Sequence, residues 1–242
     1  MPVCLYLHGG GWARGTRADR AEERLAPVAR AGIAVASVDY RLSGRAHFPA
    51  QLDDARAAVR WLRSAGGEHG LATDRIGAWG ASAGGHLASL LGLCTDERDG
   101  ELGDGSVQAV VAYFPPTDLL ALADDPPEGP PPPFLAGRPP AVSPLEAQLL
   151  GLDRAQDDPA RARAASPVAQ VRSDAPPFLL AHGDRDGLIP GVQSRRFADA
   201  LAGAGAPVQL LLLAGANHED PQFETAATLG AVAGFLRSAL EG

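Results

Sequence analysis

Ser82 sits in the pentapeptide Gly80-Ala81-Ser82-Ala83-Gly84, directly after an apolar run ending at Trp79 and directly before a second apolar stretch. A serine hydroxyl attacks carbonyl carbon when a neighbouring base takes its proton and a third group orients that base. A strand that reverses into a helix within so few residues strains its central residue. Only small side chains then fit two positions to either side. The pentapeptide alone is a weak signal, and the flanking strand and helix patterns make it specific.

A second constellation stands near the start, His8-Gly9-Gly10-Gly11-Trp12. Acyl transfer places negative charge on the carbonyl oxygen, and preorganised N–H donors must meet it. Consecutive glycines let the backbone approach closely, so the amides of Gly10 and Gly11, with that of Ala83, form a candidate oxyanion hole. The run lacks the Lys and Ser/Thr of a phosphate-binding loop. His218, in Gly215-Ala216-Asn217-His218-Glu219, is the natural base. The acidic partner lies in His182-Gly183-Asp184-Arg185-Asp186, and residue type alone leaves Asp184 and Asp186 both open. The other histidines have duller roles: His8 and His182 close strands and hold neighbouring loops, His47 and His69 are loop residues, and His86 lies within the helix after Ser82.

These residues need a scaffold that brings distant loops to one place. Short apolar runs at 3–7, 33–38, 75–79, 107–114, 178–182 and 208–213 alternate with longer helical patterns. That rhythm predicts an α/β fold, a mostly parallel sheet covered on both faces. Helices are expected at 51–63, at 83–93 (apolar almost all round, hence buried) and at about 224–240. From about 118 to 165 the chain is rich in Pro, Asp and Gly, including Pro130-Pro131-Pro132-Pro133. This insertion, expected to have little regular structure, reads as a small cap over the strand ends where ligands bind. Trp12, Phe48, Phe114, Phe134 and Leu188 are candidates for the pocket lining by position. Asp124, Asp125, Asp157 and Asp158, within the cap, are expected to be solvated. No internal repeat marks the 242 residues, which read as one domain.

A net charge of -8 argues against nucleic acid and anionic membranes as partners. Cys4 and Cys94 read as small buried hydrophobes, since two cysteines cannot frame a domain of this size. No transmembrane stretch or signal peptide is visible in the chain, so a cytoplasmic location is the expectation. No His/Cys/Asp cluster has ligand spacing, so neither metal nor cofactor is expected.

Taken in order, HGGGW at 8, VDYRL at 38, FPAQLDDARAAVRWLR at 48, GASAGG at 80, HGDRDGLIP at 182 and NH at 217 span nearly the whole chain. This set resembles the α/β-hydrolase superfamily, in particular the hormone-sensitive-lipase-like and bacterial feruloyl-esterase-like carboxylesterases. The resemblance implies an α/β-hydrolase three-layer sandwich and a serine carboxylic-ester hydrolase acting on a small or medium ester. It assigns the acid to Asp186, leaving Asp184 to brace the turn. Of the residues placed near the pocket by position alone, Trp12 and Leu188 are the expected substrate-binding pair. Relatives usually carry two further strands before the HGGGW strand. Without them the strand at 33–38 lies at the sheet edge, so either a truncated chain or an edge-to-edge homodimer is expected.

Three rivals share the motif set in part. A kynurenine-formamidase-type amidase tends to carry an aromatic residue in the glycine run, where this chain has Gly11. A prolyl-oligopeptidase-type peptidase brings a large extra domain. A non-catalytic ligand receptor of this fold has an eroded triad, whereas Ser82, Asp186 and His218 are all present here.

Overall fold

A computed structural model describes residues 1–94, 99–135 and 144–241. The six apolar runs become β1 (Pro2–Leu7), β2 (Ala34–Val38), β3 (Ala72–Ala81), β4 (Ala109–Tyr113), β5 (Phe178–Gly183) and β6 (Val208–Leu213). They form one sheet in the order β2-β1-β3-β4-β5-β6, and every pairing is parallel. Register aligns the strand ends: Leu7 pairs with Gly80, Ala81 with Tyr113, and Gly183 with Leu213. The loops after β1, β3, β5 and β6 therefore leave from the same side of the sheet. β2 lies at one edge, half-buried throughout.

Side chains alternate across the sheet and split the core in two. Val3, Leu5 and Leu7 of β1 join a cluster with α2 (Ala50–Ala65), α3 (Ala83–Leu93) and α7 (Val192–Gly203). Cys4 and Tyr6 face the other cluster, with α1 (Ala26–Arg30) and α8 (Ala226–Glu241). All eleven residues of α3 are buried, as expected of a helix apolar on every side.

The chain between β4 and β5 is more regular than its composition suggests. Beyond α4 (Asp99–Leu102), which precedes β4, it contains α5 (Leu145–Leu150), α6 (Pro159–Ala164) and three short 3₁₀ turns. Local chemistry explains both helices. Asp158 caps α6, its carboxylate accepting from the Arg161 amide at 3.0 Å, with Pro159 in the first turn. Gly151, with φ 67°, ends α5. Residues 136–143 of the expected cap lie outside the described residues. No described helix is long and apolar enough to cross a membrane.

Two expectations for the insertion need correction. Asp125 is not solvated: its side chain is 12% exposed and pairs with both terminal nitrogens of Arg196 at 2.9 Å. Asp158 is taken up by the cap on α6.

Candidate active site

Between β3 and α3 the chain turns at Ser82, with φ 54° and ψ −119°. The turn is sterically closed. A Cβ added to Gly80 would collide with the Gly84 carbonyl, and one added to Gly84 with the Leu7 carbonyl of β1. The Ser82 amide donates to the Tyr113 carbonyl at 2.8 Å, pinning the turn to the end of β4. Ser82 Oγ consequently rises from the strand ends beneath the loops.

His218 arrives on the loop after β6. Its Nε2 lies 3.1 Å from Ser82 Oγ and its Nδ1 2.8 Å from Asp186 Oδ2. The second Asp186 oxygen accepts from the Leu188 and Ile189 amides, each at 2.8 Å. Burial alone would raise the Asp186 carboxyl, but His182 and His218 hold it well below the usual carboxylate range. An ionised Asp186 fixes the proton on His218 Nδ1, which leaves Nε2 as an acceptor toward Ser82. Asp184 stands elsewhere, its carboxylate accepting from the Gly215 amide at 2.7 Å.

His182 does more than close its strand. Its Nε2 lies 2.9 Å from the Ile189 carbonyl and 3.4 Å from Asp186 Oδ2, and its Nδ1 2.7 Å from Ser194 Oγ. Asn217 knits the loops together. Its side-chain oxygen accepts from the His218 and Gly187 amides, at 2.7 and 2.9 Å, and its Nδ2 donates to the Pro130 carbonyl at 2.8 Å.

Gly10 and Gly11, at φ 119° and 61°, turn the first loop over Ser82. Gly10 admits only glycine, because a Cβ there would strike the Arg14 carbonyl; one on Gly11 would press on the end of the Leu145 side chain. Among the described residues, the amides of Gly10, Gly11 and Ala83 donate no hydrogen bond within the chain. They border the same cavity as Ser82 and His218. Trp12 is only 3% exposed, and its indole N–H donates to His86 Nδ1 at 3.2 Å. Burial pushes His86 down to about 4. The neutral ring therefore accepts from Trp12 and donates from Nε2 to the Ala165 carbonyl at 2.7 Å. Tyr40 stacks on His8 at 4.4 Å and donates to its carbonyl at 2.9 Å, bracing the root of the glycine run.

Behind His218 lies a buried ion network that sequence patterns gave no hint of. Arg24 is fully buried and donates to Glu219 at 2.7 Å, Glu224 at 3.1 Å and the Tyr6 hydroxyl at 3.0 Å. Burial alone would raise the Glu219 carboxyl, but the charge and hydrogen bond of Arg24 hold it below its usual value. Five described non-glycine residues have a left-handed backbone: Trp12, Arg20, Ser82, Phe114 and Glu219. All belong to this neighbourhood. The Phe114 ring lies 4.4 Å from His218, Glu219 follows His218, and Arg20 pairs with Glu219 at 3.5 Å. Such strain costs about 1–3 kcal/mol per residue and persists only where surrounding contacts enforce it.

The cavity above Ser82 has a volume of about 770 Å³. Trp12, Phe134 and Leu188 line it together with Leu122, Leu145 and Glu146, whereas Phe48 and Phe114 do not. Phe114 instead backs His218 from within the core.

A strand order built around a strained serine turn, with loops converging at the strand ends, defines an α/β-hydrolase fold. The family model described as BD-FAE matches residues 1–201, and the chain belongs to that family. It is 32% identical over 233 residues to esterase LipQ of Mycobacterium tuberculosis, covering 94% of this chain and 52% of that protein. With esterase LipC of the same organism it shares 34% over 246 residues, 97% of this chain and 58% of the relative. The chain thus spans about half the length of the curated relatives it matches. Among solved structures, a truncated carbohydrate esterase from gut microbiota superposes with a TM-score of 0.85 at 27% identity, covering 100% of this chain and 86% of that one. Esterase 2 of Thermogutta terrifontis gives 0.73 at 26% identity, covering 98% and 81%.

Proposed function

We propose that the chain hydrolyses small or medium carboxylic esters by two-step acyl transfer through Ser82. The observation that carries this reading is the continuous Ser82–His218–Asp186 contact on the floor of the cavity, 3.1 and 2.8 Å. The esterase names of its relatives point the same way.

His218 Nε2 takes the Ser82 proton as Oγ bonds to the ester carbonyl carbon. The imidazolium so formed faces the Asp186 carboxylate. The carbonyl oxygen becomes an alkoxide directed at the Gly10, Gly11 and Ala83 amides, where one lost donor typically costs about 10²–10³ in rate. His218 then gives its proton to the departing alcohol as the C–O bond breaks. Water, deprotonated by His218, releases the acid and restores Ser82.

The test is hydrolysis of p-nitrophenyl acetate and butyrate by the purified chain beside Ser82→Ala. The expected result is turnover by the wild type and a fall of at least about 10³-fold in kcat for the variant. Equal turnover by both proteins would rule out Ser82 as the nucleophile.

A further inference from the structure

One wall of the cavity carries a carboxylate that the acyl-transfer chemistry does not use. Leu145, first residue of α5, packs so closely on Gly11 that a Cβ there would collide with it. Glu146 follows, one residue from that contact with the glycine loop, and borders the same cavity. It is only 8% exposed. Among the described residues its side chain makes no ion pair, and the polar group acting on it is its own backbone amide. No cation is paired with it among the described residues, and burial pushes the carboxyl above its ordinary value. The cavity it borders is largely apolar, with Leu122, Phe134 and Leu145 in its lining beside the charged Arg14 and Arg20.

A carboxylate largely screened from water and facing no cation destabilises a fold relative to an apolar side chain of similar size. In this position it offers acceptor lone pairs to whatever enters the cavity. We propose that Glu146 is a specificity subsite that accepts a hydrogen bond from a hydroxyl group carried by the ester. The proposal rests on the ester-hydrolase reading above. A hydroxyl suits the site better than an ammonium group. It donates to the carboxyl in either protonation state and sheds water at lower cost on entering an apolar wall. An anionic group is disfavoured by like charge.

The experiment compares wild type, Glu146→Leu and Glu146→Gln on matched ester pairs. One pair, p-nitrophenyl butyrate and 3-hydroxybutyrate, places the hydroxyl on the acyl group; the other, propyl acetate and glycerol monoacetate, places it on the alcohol. Glu146→Leu is expected to lower kcat/KM about tenfold or more for the hydroxylated member of one pair. Its non-hydroxylated match should stay within about twofold, and Glu146→Gln, which keeps an acceptor, should recover most of the loss. The pair affected identifies which half of the substrate Glu146 reads. Thermal unfolding of Glu146→Leu should occur no lower than in wild type, because the buried acceptor is gone.

Binding of the same esters to Ser82→Ala, with and without Glu146→Leu, reads the subsite without turnover. Glu146-dependent binding with no hydrolysis by the wild type would sink the hydrolase reading and leave the subsite standing. Turnover with no Glu146-dependent discrimination in kinetics or binding would sink the subsite alone. An equal loss on both members of each pair would show a structural role and overturn the proposal. A larger loss on a matched amino ester would overturn it in favour of an ammonium site.

Discussion

On the floor of the cavity, the turn at Ser82 is held by backbone pressed against backbone: Gly80 against the Gly84 carbonyl, and Gly84 against the Leu7 carbonyl. Over the cavity, the chain between β4 and β5 is held by polar side chains reaching to other elements. Thr117 Oγ1 donates to the Gln193 carbonyl at 2.7 Å, Asp125 grips Arg196, and Asn217 reaches Pro130. Close packing of main chain admits no substitute, because any added atom must displace a strand or helix. Polar ties can be exchanged for others of similar reach. The contrast separates a turn fixed by main-chain packing from a wall held by side-chain ties.

The sharpest test of that difference is Gly84→Ala. The new methyl group would press on the Leu7 and His8 carbonyls, at the root of the glycine run. Stability to urea is expected to fall by about 4 kcal/mol, beyond the usual range for overpacking because both neighbours are backbone. Ester turnover should fall with it, since Ser82 and the Gly10–Gly11 amides move together. A variant within about 0.5 kcal/mol of wild type would show the floor to be as accommodating as the wall.

His86 joins the two regions, with its backbone in α3, Nδ1 on Trp12 and Nε2 on Ala165. Burial lowers its folded pKa from 6.5 to about 4. Between those values the unfolded chain binds the extra proton, so stability falls as pH drops from 6.5 to about 4 and no further through this group. The size of the effect is on the order of 3 kcal/mol. Glutamine keeps one acceptor and one donor without titrating. The difference in unfolding free energy between wild type and His86→Gln should therefore shrink or reverse toward pH 4. A constant difference across pH 7 to 4 would show that His86 is not held neutral by the fold.

What the sequence made legible follows the same division. The strands could be read because they are buried on both faces and apolar at nearly every position, and α3 because it is apolar all round. The turn at Ser82 and the glycine run announce themselves through residues that the backbone demands. Polar ties across the molecule leave no such mark. Arg24 meets Glu219 across 195 positions and Asp125 meets Arg196 across 71. A charge facing inward toward a distant partner looks in sequence like a charge facing water. Asp125 therefore reads as solvated, and nothing in the sequence singles out Arg24. The helices of the insertion are hidden for another reason: Pro-rich composition outweighs the local signals at Gly151 and Asp158-Pro159.

The smallest expected effect is Asp125→Asn, within the wall. Asparagine keeps the shape but loses the charge facing Arg196, whose side chain is 32% exposed. Partial exposure screens the pair, so the loss should be about 1 kcal/mol, smaller at high salt. The hydrogen bonds from Arg196 come first in holding the Asp125 carboxyl below its usual value, against burial. Its contribution is thus complete above the unfolded pKa near 3.8 and is lost as pH falls through the lower folded value. Wild type and variant should converge at acid pH, and p-nitrophenyl butyrate turnover at neutral pH should change by less than about threefold, under 1 kcal/mol of barrier. A loss of stability as large as that of Gly84→Ala would dissolve the distinction between floor and wall. It would mean that this one ion pair holds the segment over the cavity as firmly as main-chain packing holds the turn at Ser82.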